Sequence, residues 1–144
     1  MPAAAGRPLR RHGCCVLWRG RGLFIRGRSG AGKSALVLRL LAHGAWLVAD
    51  DLVELRAVDG CLHACAPSPR GHLEVRGLGL FRLVGLAGCR IHLVVEVSAA
   101  RRARLPEPRE ASICGVPLPE VTIDAASPTA LARIELALFA MRVL

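Results

Sequence analysis

Residues 27–34 have the types and spacing of a phosphate-binding loop. They read Gly-Arg-Ser-Gly-Ala-Gly-Lys-Ser and fit the pattern G-x-x-x-x-G-K-[ST], in which backbone N–H groups face a phosphate. In this chemistry Lys33 reaches the outer phosphates of a nucleotide, and the hydroxyl of Ser34 is a ligand of Mg²⁺. Lys33 is also the single lysine among 20 basic residues, at the position where a compact ammonium is needed. The predicted nucleotide contacts are Gly27, Arg28, Ser29, Gly30, Ala31, Gly32, Lys33 and Ser34.

The segment therefore predicts binding of a nucleoside triphosphate, ATP, together with Mg²⁺. A glycine-rich turn between a strand and a helix that binds nothing is the alternative interpretation. The context favours the first, because a short apolar run precedes the loop and a helical pattern follows it.

Two adjacent carboxylates, Asp50 and Asp51, end an apolar run that begins at Ala45. Next to a phosphate-binding loop, a carboxylate at the end of a strand serves as a second contact to Mg²⁺ or as a general base. Adjacent strand residues point to opposite faces, so the two aspartates should have different roles rather than form a dyad. A polar stop to a buried strand is the alternative.

The elements that position these residues follow from hydrophobic periodicity. Residues 23–25 predict a strand before the loop, and apolar residues at 36, 37, 40 and 41 predict a helix after it, with Gly44 as its left-handed cap. Residues 14–18 predict a further strand, which a tight turn over residues 19–22 joins to the strand before the loop.

The rest of the chain predicts more strands and one last helix. Strands are expected at 53–58, 61–66 and 91–97, edge strands broken by proline between 113 and 123, and an exposed, mobile segment at 100–109. The last helix is expected over residues 129–142, with Pro128 at its first position and an apolar stripe of Leu131, Ile134, Leu138 and Met141. These elements predict a three-layered α/β domain with a mixed sheet, in which the loop and the Asp50 strand meet at the carboxyl edge.

The segment from His72 to Leu83 interleaves charges and glycines. Glu74 and Arg76 share one face at i, i+2, beside Gly77 and Gly79. Two interpretations stay open from these residues, an exposed strand entering a mobile loop and an active-site segment.

Composition excludes several classes of protein. The chain is 53% hydrophobic with a mean hydropathy of +0.41, but no apolar run reaches the length of a membrane span. Residues 1–11 lack the apolar region of a secretory signal. We therefore expect a cytoplasmic protein without membrane contact, with a disordered tail at 1–11 and a single domain at 12–144. A net charge of +9 favours anionic partners, while 3% aromatic residues and no tyrosine offer nucleic acid few stacking surfaces.

Six cysteines are present, two of them adjacent at Cys14 and Cys15. In a cytoplasmic nucleotide-binding domain, we expect them to be small buried apolar residues rather than disulfides. Cys61, His63 and Cys65 have metal-ligand types but lack the second half of a zinc site.

Several motifs together resemble a known family. They are His12-Gly13, the loop at 27–34, L-V-A-D-D at 47–51, E-V-R-G-L-G at 74–79 and Arg104-Leu105, with a weaker match at 116–123. The chain is similar to the catalytic domain of bacterial HPr kinase/phosphorylase, in a short form without the N-terminal domain. The fold that this implies is an α/β P-loop kinase domain of the PEP-carboxykinase-like type, with a mixed central sheet flanked by helices.

The resemblance implies an ATP-dependent kinase that phosphorylates a serine of HPr, the phosphocarrier of the phosphotransferase system. Family members also catalyse phosphorolysis of the phosphoserine and assemble into hexamers. By resemblance, Asp50 is the general base and His12 assists it, while Asp51 and Glu74 serve the metal with Ser34. Arg76 and Arg104 match arginines that stabilise charge on the moving phosphoryl group.

Three other functions remain as alternatives. One is a P-loop kinase with a different acceptor, because the ATP machinery does not identify the nucleophile. Another is a nucleotide-binding regulatory module, since Ala35 stands where the family often has an acid and residues 127–130 replace a basic family segment. Nucleic-acid binding is the third.

Overall fold

The computed structural model describes residues 6–67 and 71–143. Within these ranges the chain forms eleven strands and two helices. In chain order they are β1 (Leu9–His12), β2 (Cys14–Trp18), β3 (Arg21–Arg26), α1 (Lys33–Ala42), β4 (Trp46–Ala49), β5 (Leu52–Val58), β6 (Cys61–Cys65), β7 (His72–Val75), β8 (Gly79–Arg82), β9 (Cys89–Val97), β10 (Arg109–Ile113), β11 (Val116–Ile123) and α2 (Ala130–Phe139).

Nine of these strands form one mixed sheet, and β7 and β8 form a separate two-stranded ribbon. The order in the main sheet is β1-β5-β6-β9-β3-β2-β4, and β11 lies beside β9 with β10 as its outer neighbour. Strand β9 is central because it pairs with β3 on one side and with β6 and then β11 on the other. Its run Ile-His-Leu-Val-Val-Glu-Val is rich in β-branched residues, as a buried central strand requires.

Strand directions bring the two candidate sites to one edge. Strand β2 is antiparallel to both β3 and β4, so β3 and β4 run in the same direction. We call the edge where both strands end the carboxyl edge. The loop at 27–34 follows β3 there, and Asp50 and Asp51 follow β4. The predicted meeting of these two segments is confirmed.

Three hairpins share one kind of two-residue turn. The turns are Arg19-Gly20 between β2 and β3, Asp59-Gly60 between β5 and β6, and Cys114-Gly115 between β10 and β11. All six residues have positive φ, between 51° and 76°. Two consecutive positive φ values are typical of the turn whose twist matches antiparallel strands.

Two apolar clusters stabilise the sheet, one on each face. The first contains Leu36 and Leu40 of α1 and Ile134 of α2, together with alternate residues of β2, β3 and β9. The second is built from strands alone and includes Phe24 and Leu62. Each fully buried side chain of this size contributes about 1.5–3 kcal/mol. The prediction of a mixed sheet is confirmed, but the predicted three layers with flanking helices are wrong. Both helices cover one face, and the curl of the sheet closes the other with β1, β5, β6 and β10.

Two predicted boundaries near the strands are also wrong. The disordered tail expected up to residue 11 overlaps β1, whose residues pair antiparallel with β5 from Leu9–Leu55 to His12–Leu52. Residues 1–5 lie outside the described ranges. Strand β11 is continuous although it contains Pro117 and Pro119. These prolines occupy alternate positions opposite β10, and β9 pairs with β11 only from Glu120 onward, so neither lacks a needed N–H.

The last helix is shorter than predicted. It begins at Ala130 after Thr129, so Pro128 precedes the helix instead of opening it. It ends at Phe139, and Met141 is exposed beyond it. Ile134 is buried, with Leu131 and Leu138 half-buried beside it, so three of the four predicted stripe residues contribute to packing. In the described part of the chain, neither helix has the length and apolarity to cross a membrane.

Candidate active site

The loop at 27–34 curls between β3 and α1, and two of its glycines are required by close packing. A Cβ at Gly27 would lie 2.6 Å from the carbonyl oxygen of Val97, at the end of the adjacent strand β9. At Gly32 φ is 109°, and a Cβ would lie 2.9 Å from the Cβ of Ala125. The loop is therefore pressed against the end of β9 and against the residues that follow β11, which fixes it at the carboxyl edge.

The loop offers donors suited to an anion. The Nζ of Lys33 donates to the carbonyl oxygens of Gly27 at 2.6 Å and Arg28 at 3.1 Å. Helix α1 has no side-chain cap and no acidic residue in its first turn. Its first N–H groups and the positive end of its dipole thus face the loop without a side-chain acceptor. This arrangement fits a phosphate group.

The carboxylate of Asp50 is held from two sides. The Sγ of Cys14 donates to Oδ1 at 3.4 Å, and the backbone N–H of Glu74 donates to Oδ2 at 3.3 Å. Strand β2 positions Cys14, since its neighbour Cys15 is paired with Ala49 of β4. The ribbon of β7 and β8 positions the Glu74 N–H. Asp50 therefore stands at the junction of the main sheet and the ribbon.

Asp51 has a different environment from Asp50. Both lie beyond the end of β4 at Ala49, so the alternation of strand residues is not the cause of this difference. Asp51 is exposed, its φ is 69°, and its carbonyl oxygen accepts a hydrogen bond from the N–H of Gly13 at 3.0 Å. Aspartate tolerates this left-handed conformation better than most residues. The same hydrogen bond places the exposed His12, at the end of β1, one residue from the Asp51 backbone.

The pKa of Cys14 reflects its neighbours at this edge. It is raised to about 12, chiefly by burial and also by the charge of Asp50 and the hydrogen bond to it, while a hydrogen bond with the Asp51 backbone and the charge of Lys33 oppose the rise. Both Lys33 and Asp50 thus lie within electrostatic range of one buried sulfur. The thiol stays protonated at neutral pH and acts as a hydrogen-bond donor.

Cys14, Asp50 and Glu74 are joined by hydrogen bonds, and we call them the Asp50 cluster. The two predicted catalytic arginines are not brought to this cluster. Arg76 lies in the exposed turn between β7 and β8, and Arg104 lies in the exposed segment 98–108. Neither makes a hydrogen bond or ion pair with the described residues. Residues 72–83 form a two-stranded ribbon, and its Glu74 N–H donates to Asp50. An active-site role for this segment stays a prediction.

Three predicted metal ligands carry hard oxygen donors. All three are exposed: Ser34, Asp51 and Glu74. The backbone N–H of Glu74 donates a hydrogen bond to Asp50. Mg²⁺ keeps several water ligands and is usually held by one or two carboxylates together with substrate phosphates. The residues therefore fit an ion shared with a bound phosphate chain. Across residues 6–67 and 71–143, no group of three or more His, Cys, Asp or Glu side chains is placed to hold a metal by itself. Cys61, His63 and Cys65 lie within these ranges, so they form no such group.

Arg26 is a residue that the sequence reasoning missed. It precedes the loop and pairs with Glu96 at 3.2 Å and with Glu120 at 2.5 Å. Glu120 is almost fully buried, with 4% of its side chain exposed, and also pairs with Arg109 at 3.3 Å. This network ties the start of the loop to β9 and β11. No local signal reveals it, because its carboxylates lie 70 and 94 residues away.

An open apolar groove lies beside the Asp50 cluster. Its volume is about 560 Å³, and it runs between α1 and the β7–β8 ribbon. Leu73 and Val75, on either side of Glu74, line it. Its exposed apolar side chains are Leu38, Trp46, Leu78, Phe81 and Val84.

The sequence model of the HPr Serine kinase C-terminal domain matches residues 6–143. The chain belongs to this family. The match covers all residues of the Asp50 cluster and the phosphate-binding loop, and the resemblance to the family is confirmed.

Curated relatives match a little over half of the chain. An HPr kinase/phosphorylase from Leptospira biflexa is 39% identical over 92 residues, which are 60% of this chain and 29% of that protein. The one from Clostridium novyi is 42% identical over 94 residues, 60% of this chain and 31% of that protein. One from Exiguobacterium sibiricum is 47% identical over 79 residues, 54% and 25% respectively. The matched stretch thus spans less than a third of each relative.

A solved structure has the same fold. The Hpr(Ser) kinase/phosphatase from Coxiella burnetii superposes with a TM-score of 0.77 over 90% of this chain and 87% of that chain, at 22% sequence identity. The curled mixed sheet with few helices is therefore the fold of an HPr kinase domain.

Proposed function

We propose that this chain is the catalytic domain of an ATP-dependent kinase that phosphorylates a serine of an HPr-like phosphocarrier protein. The observation that carries the proposal is that the phosphate-binding loop follows β3 and Asp50 follows β4 at the same edge of the sheet. It supports a site in which a phosphate-binding loop and a carboxylate act on the same reacting atoms. Family membership supports the choice of acceptor.

The loop binds and orients the phosphates of ATP. The backbone N–H groups of residues 27–34 and the start of α1 receive the negative charge, and Lys33 exchanges the carbonyls of Gly27 and Arg28 for phosphate oxygens. Such preorganised donors stabilise charge without further reorganisation. Gly27 and Gly32 keep the loop against the end of β9 and the residues that follow β11, which holds the donors in place.

Asp50 accepts the proton of the serine hydroxyl. Its two oxygens are oriented by the Cys14 thiol and the Glu74 N–H, so one lone pair of the carboxylate stays aimed at the acceptor. A positioned general base contributes roughly 10²–10⁴-fold in rate. His12 lies at the same edge and assists near the base.

Ser34, Asp51 and Glu74 would hold Mg²⁺ together with the phosphates. When bound, the ion neutralises charge on the phosphoryl group that is transferred. Arg76 and Arg104 both lie on exposed segments, and we propose that they reach this group when substrate is bound.

The apolar groove beside Glu74 supports a protein acceptor rather than a small molecule. Exposed apolar patches of this kind mark protein interaction sites. We propose that the HPr-like protein covers this groove, because the β7 residues that line it also contact Asp50 through the Glu74 backbone.

The test is the intact mass of an HPr-like protein from the same organism after incubation with this chain, ATP and Mg²⁺. We expect the addition of one phosphate, lowered at least ~100-fold in rate by Lys33→Ala and by Asp50→Asn. Asp59→Asn, in an exposed hairpin turn, is the matched control and should leave the rate unchanged. ATP binding without phosphate transfer to this protein would refute the proposed function.

Two further properties are proposed from the resemblance alone. Incubation of the phosphorylated protein with inorganic phosphate should release pyrophosphate if phosphorolysis is retained. Light scattering during size-exclusion chromatography should give six times the monomer mass if the family hexamer forms.

A further inference from the structure

Cys15 and Cys89 bring two thiols together across a strand. They belong to β2 and β9, which lie on either side of β3, and their Sγ atoms are 3.6 Å apart although 74 residues separate them. A Cβ at Gly22 of β3 would lie 2.9 Å from the Sγ of Cys89. The absence of a side chain at Gly22 therefore leaves the space through which Cys89 approaches Cys15.

The pair is open to solvent from one side. Cys89 is half-buried and lines an open cavity of about 590 Å³, whereas Cys15 is fully buried at 0% exposure. Charged Glu54, Arg56 and Arg90 surround the cavity. A small reagent thus reaches the sulfur of Cys89 first and that of Cys15 only through it.

The two thiols differ in their surroundings. The contact with Cys89, together with full burial, raises the pKa of Cys15 well above its usual value, so this thiol stays protonated at neutral pH. Cys89 lines the cavity and Cys15 does not, so the sulfur of Cys89 is the one that a reagent reaches first.

We propose that Cys15 and Cys89 are an oxidisable dithiol, a modification site for hydrogen peroxide and other small hydroperoxides. The sulfur of Cys89 attacks one peroxide oxygen, the O–O bond breaks, and the second oxygen leaves as water, which gives a sulfenic acid at Cys89. The sulfur of Cys15 then attacks that of Cys89, the S–O bond breaks, and water leaves with the Cys15 proton. Two thiols and one peroxide become one disulfide and two waters.

A disulfide needs an S–S distance of about 2.05 Å, so the sulfurs, now 3.6 Å apart, must approach by about 1.5 Å. It also needs the two Cα atoms within about 6.8 Å, whereas strands on either side of a third strand lie about 9.5 Å apart. Cys89 is the first residue of β9, so the bond requires the start of β9 to move towards β2. The bond would link β2 to β9 over β3, one residue from the Cys14 thiol that holds Asp50. A dithiol reductant reverses the step by exchange.

Cys65 lines the same cavity but is not the expected partner. Its sulfur faces Glu54, with Oε2 at 4.0 Å. The Cys89 sulfenic acid instead reacts with Cys15, whose sulfur is already in contact with that of Cys89 at 3.6 Å.

The experiment oxidises the full chain with one equivalent of hydrogen peroxide, alkylates the remaining thiols and maps the tryptic peptides by mass. Peptides 12–19 and 83–90 should appear linked, about 2 Da below the sum of their masses, and should separate on treatment with dithiothreitol. Cys89→Ser and Cys15→Ala should each abolish the link. Cys61→Ser is the matched control and should preserve it.

Three results would overturn the proposal. The first is a link from peptide 83–90 to peptide 57–70, which contains Cys65. The second is a sulfinic acid at Cys89 without any link. The third concerns Cys14, which shares peptide 12–19 with Cys15. The link must persist in Cys14→Val, and its loss there would show that the wrong thiol was assigned. The readout is a mass, so it does not depend on the proposed kinase activity.

Discussion

The Sγ of Cys14 lies 3.4 Å from Oδ1 of Asp50, with Cys14 almost fully buried at 2% exposure. The high pKa of this thiol, about 12 because of burial, keeps the proton on sulfur and thus keeps the donor present. Cys14 therefore positions Asp50, the proposed base, through a hydrogen bond to Oδ1. The other oxygen, Oδ2, accepts a hydrogen bond from the Glu74 N–H.

Replacing Cys14 tests this positioning role. A hydrogen bond of this kind contributes about 0.5–1.5 kcal/mol, so Cys14→Val should lower kcat by about 2–10-fold. The KM for ATP should stay unchanged, because the loop donors are untouched. Cys14→Ser keeps a donor and should recover most of the kcat. An equal loss in both variants would contradict the role.

The same thiol predicts a pH dependence of stability. Its pKa is raised from 9.0 to about 12 in the folded state, so above pH 9 the unfolded chain loses a proton that the folded chain retains. Stability is therefore unaffected by this group below about pH 9 and falls as the pH rises towards 12, with a slope of at most about 1.4 kcal/mol per pH unit. Urea unfolding between pH 8 and 11 should show a shallower decline in Cys14→Val than in the wild type.

The network at Arg26 predicts a loss of stability. Removing Arg26 leaves Glu120 buried with only the exposed Arg109 as partner, and breaking a buried pair costs about 3–5 kcal/mol. Arg26 is itself 37% exposed, so solvent screening reduces the expected cost of Arg26→Met to about 1–3 kcal/mol.

Urea unfolding measures this cost, and two variants complete the test. Arg109→Met removes a 66% exposed partner and should cost less than about 1 kcal/mol. Adding Glu120→Gln to Arg26→Met should restore part of the loss, because the unpaired charge is removed. Purely additive effects would exclude the pairing as the cause.

How far the sequence predicts this site depends on how many residues along the chain separate the groups that come into contact. The loop at 27–34 and the Asp50 strand are local patterns, and their residue types alone place them beside each other at the carboxyl edge. The Cys14–Asp50 contact requires the pairing of β2 with β4, and the Arg26 network requires β9 and β11. Neither pairing has a local signal.

The distribution of the helices illustrates the same limit. Periodicity correctly predicts that Leu36 and Ile134 lie on apolar faces. It does not say which face of the sheet they cover, since a curled sheet can bury its second face with its own strands. Two amphipathic helices beside a mixed sheet therefore predict flanking layers, although in this fold both pack on one side.

The groove beside Glu74 predicts a separation between binding of the acceptor and the chemistry. Leu78 is 73% exposed in the ribbon and lines the groove. Leu78→Ser should raise the KM for the HPr-like protein, by about 5-fold for the loss of roughly 1 kcal/mol of buried apolar contact, while the affinity for ATP stays constant. Leu136→Ser, a 63% exposed leucine of α2 outside the groove, is the matched control. Equal changes of the KM in both variants would show that the groove is not the specific site of the acceptor. If Leu78→Ser instead lowers only the oligomer mass, the groove binds another copy of this chain.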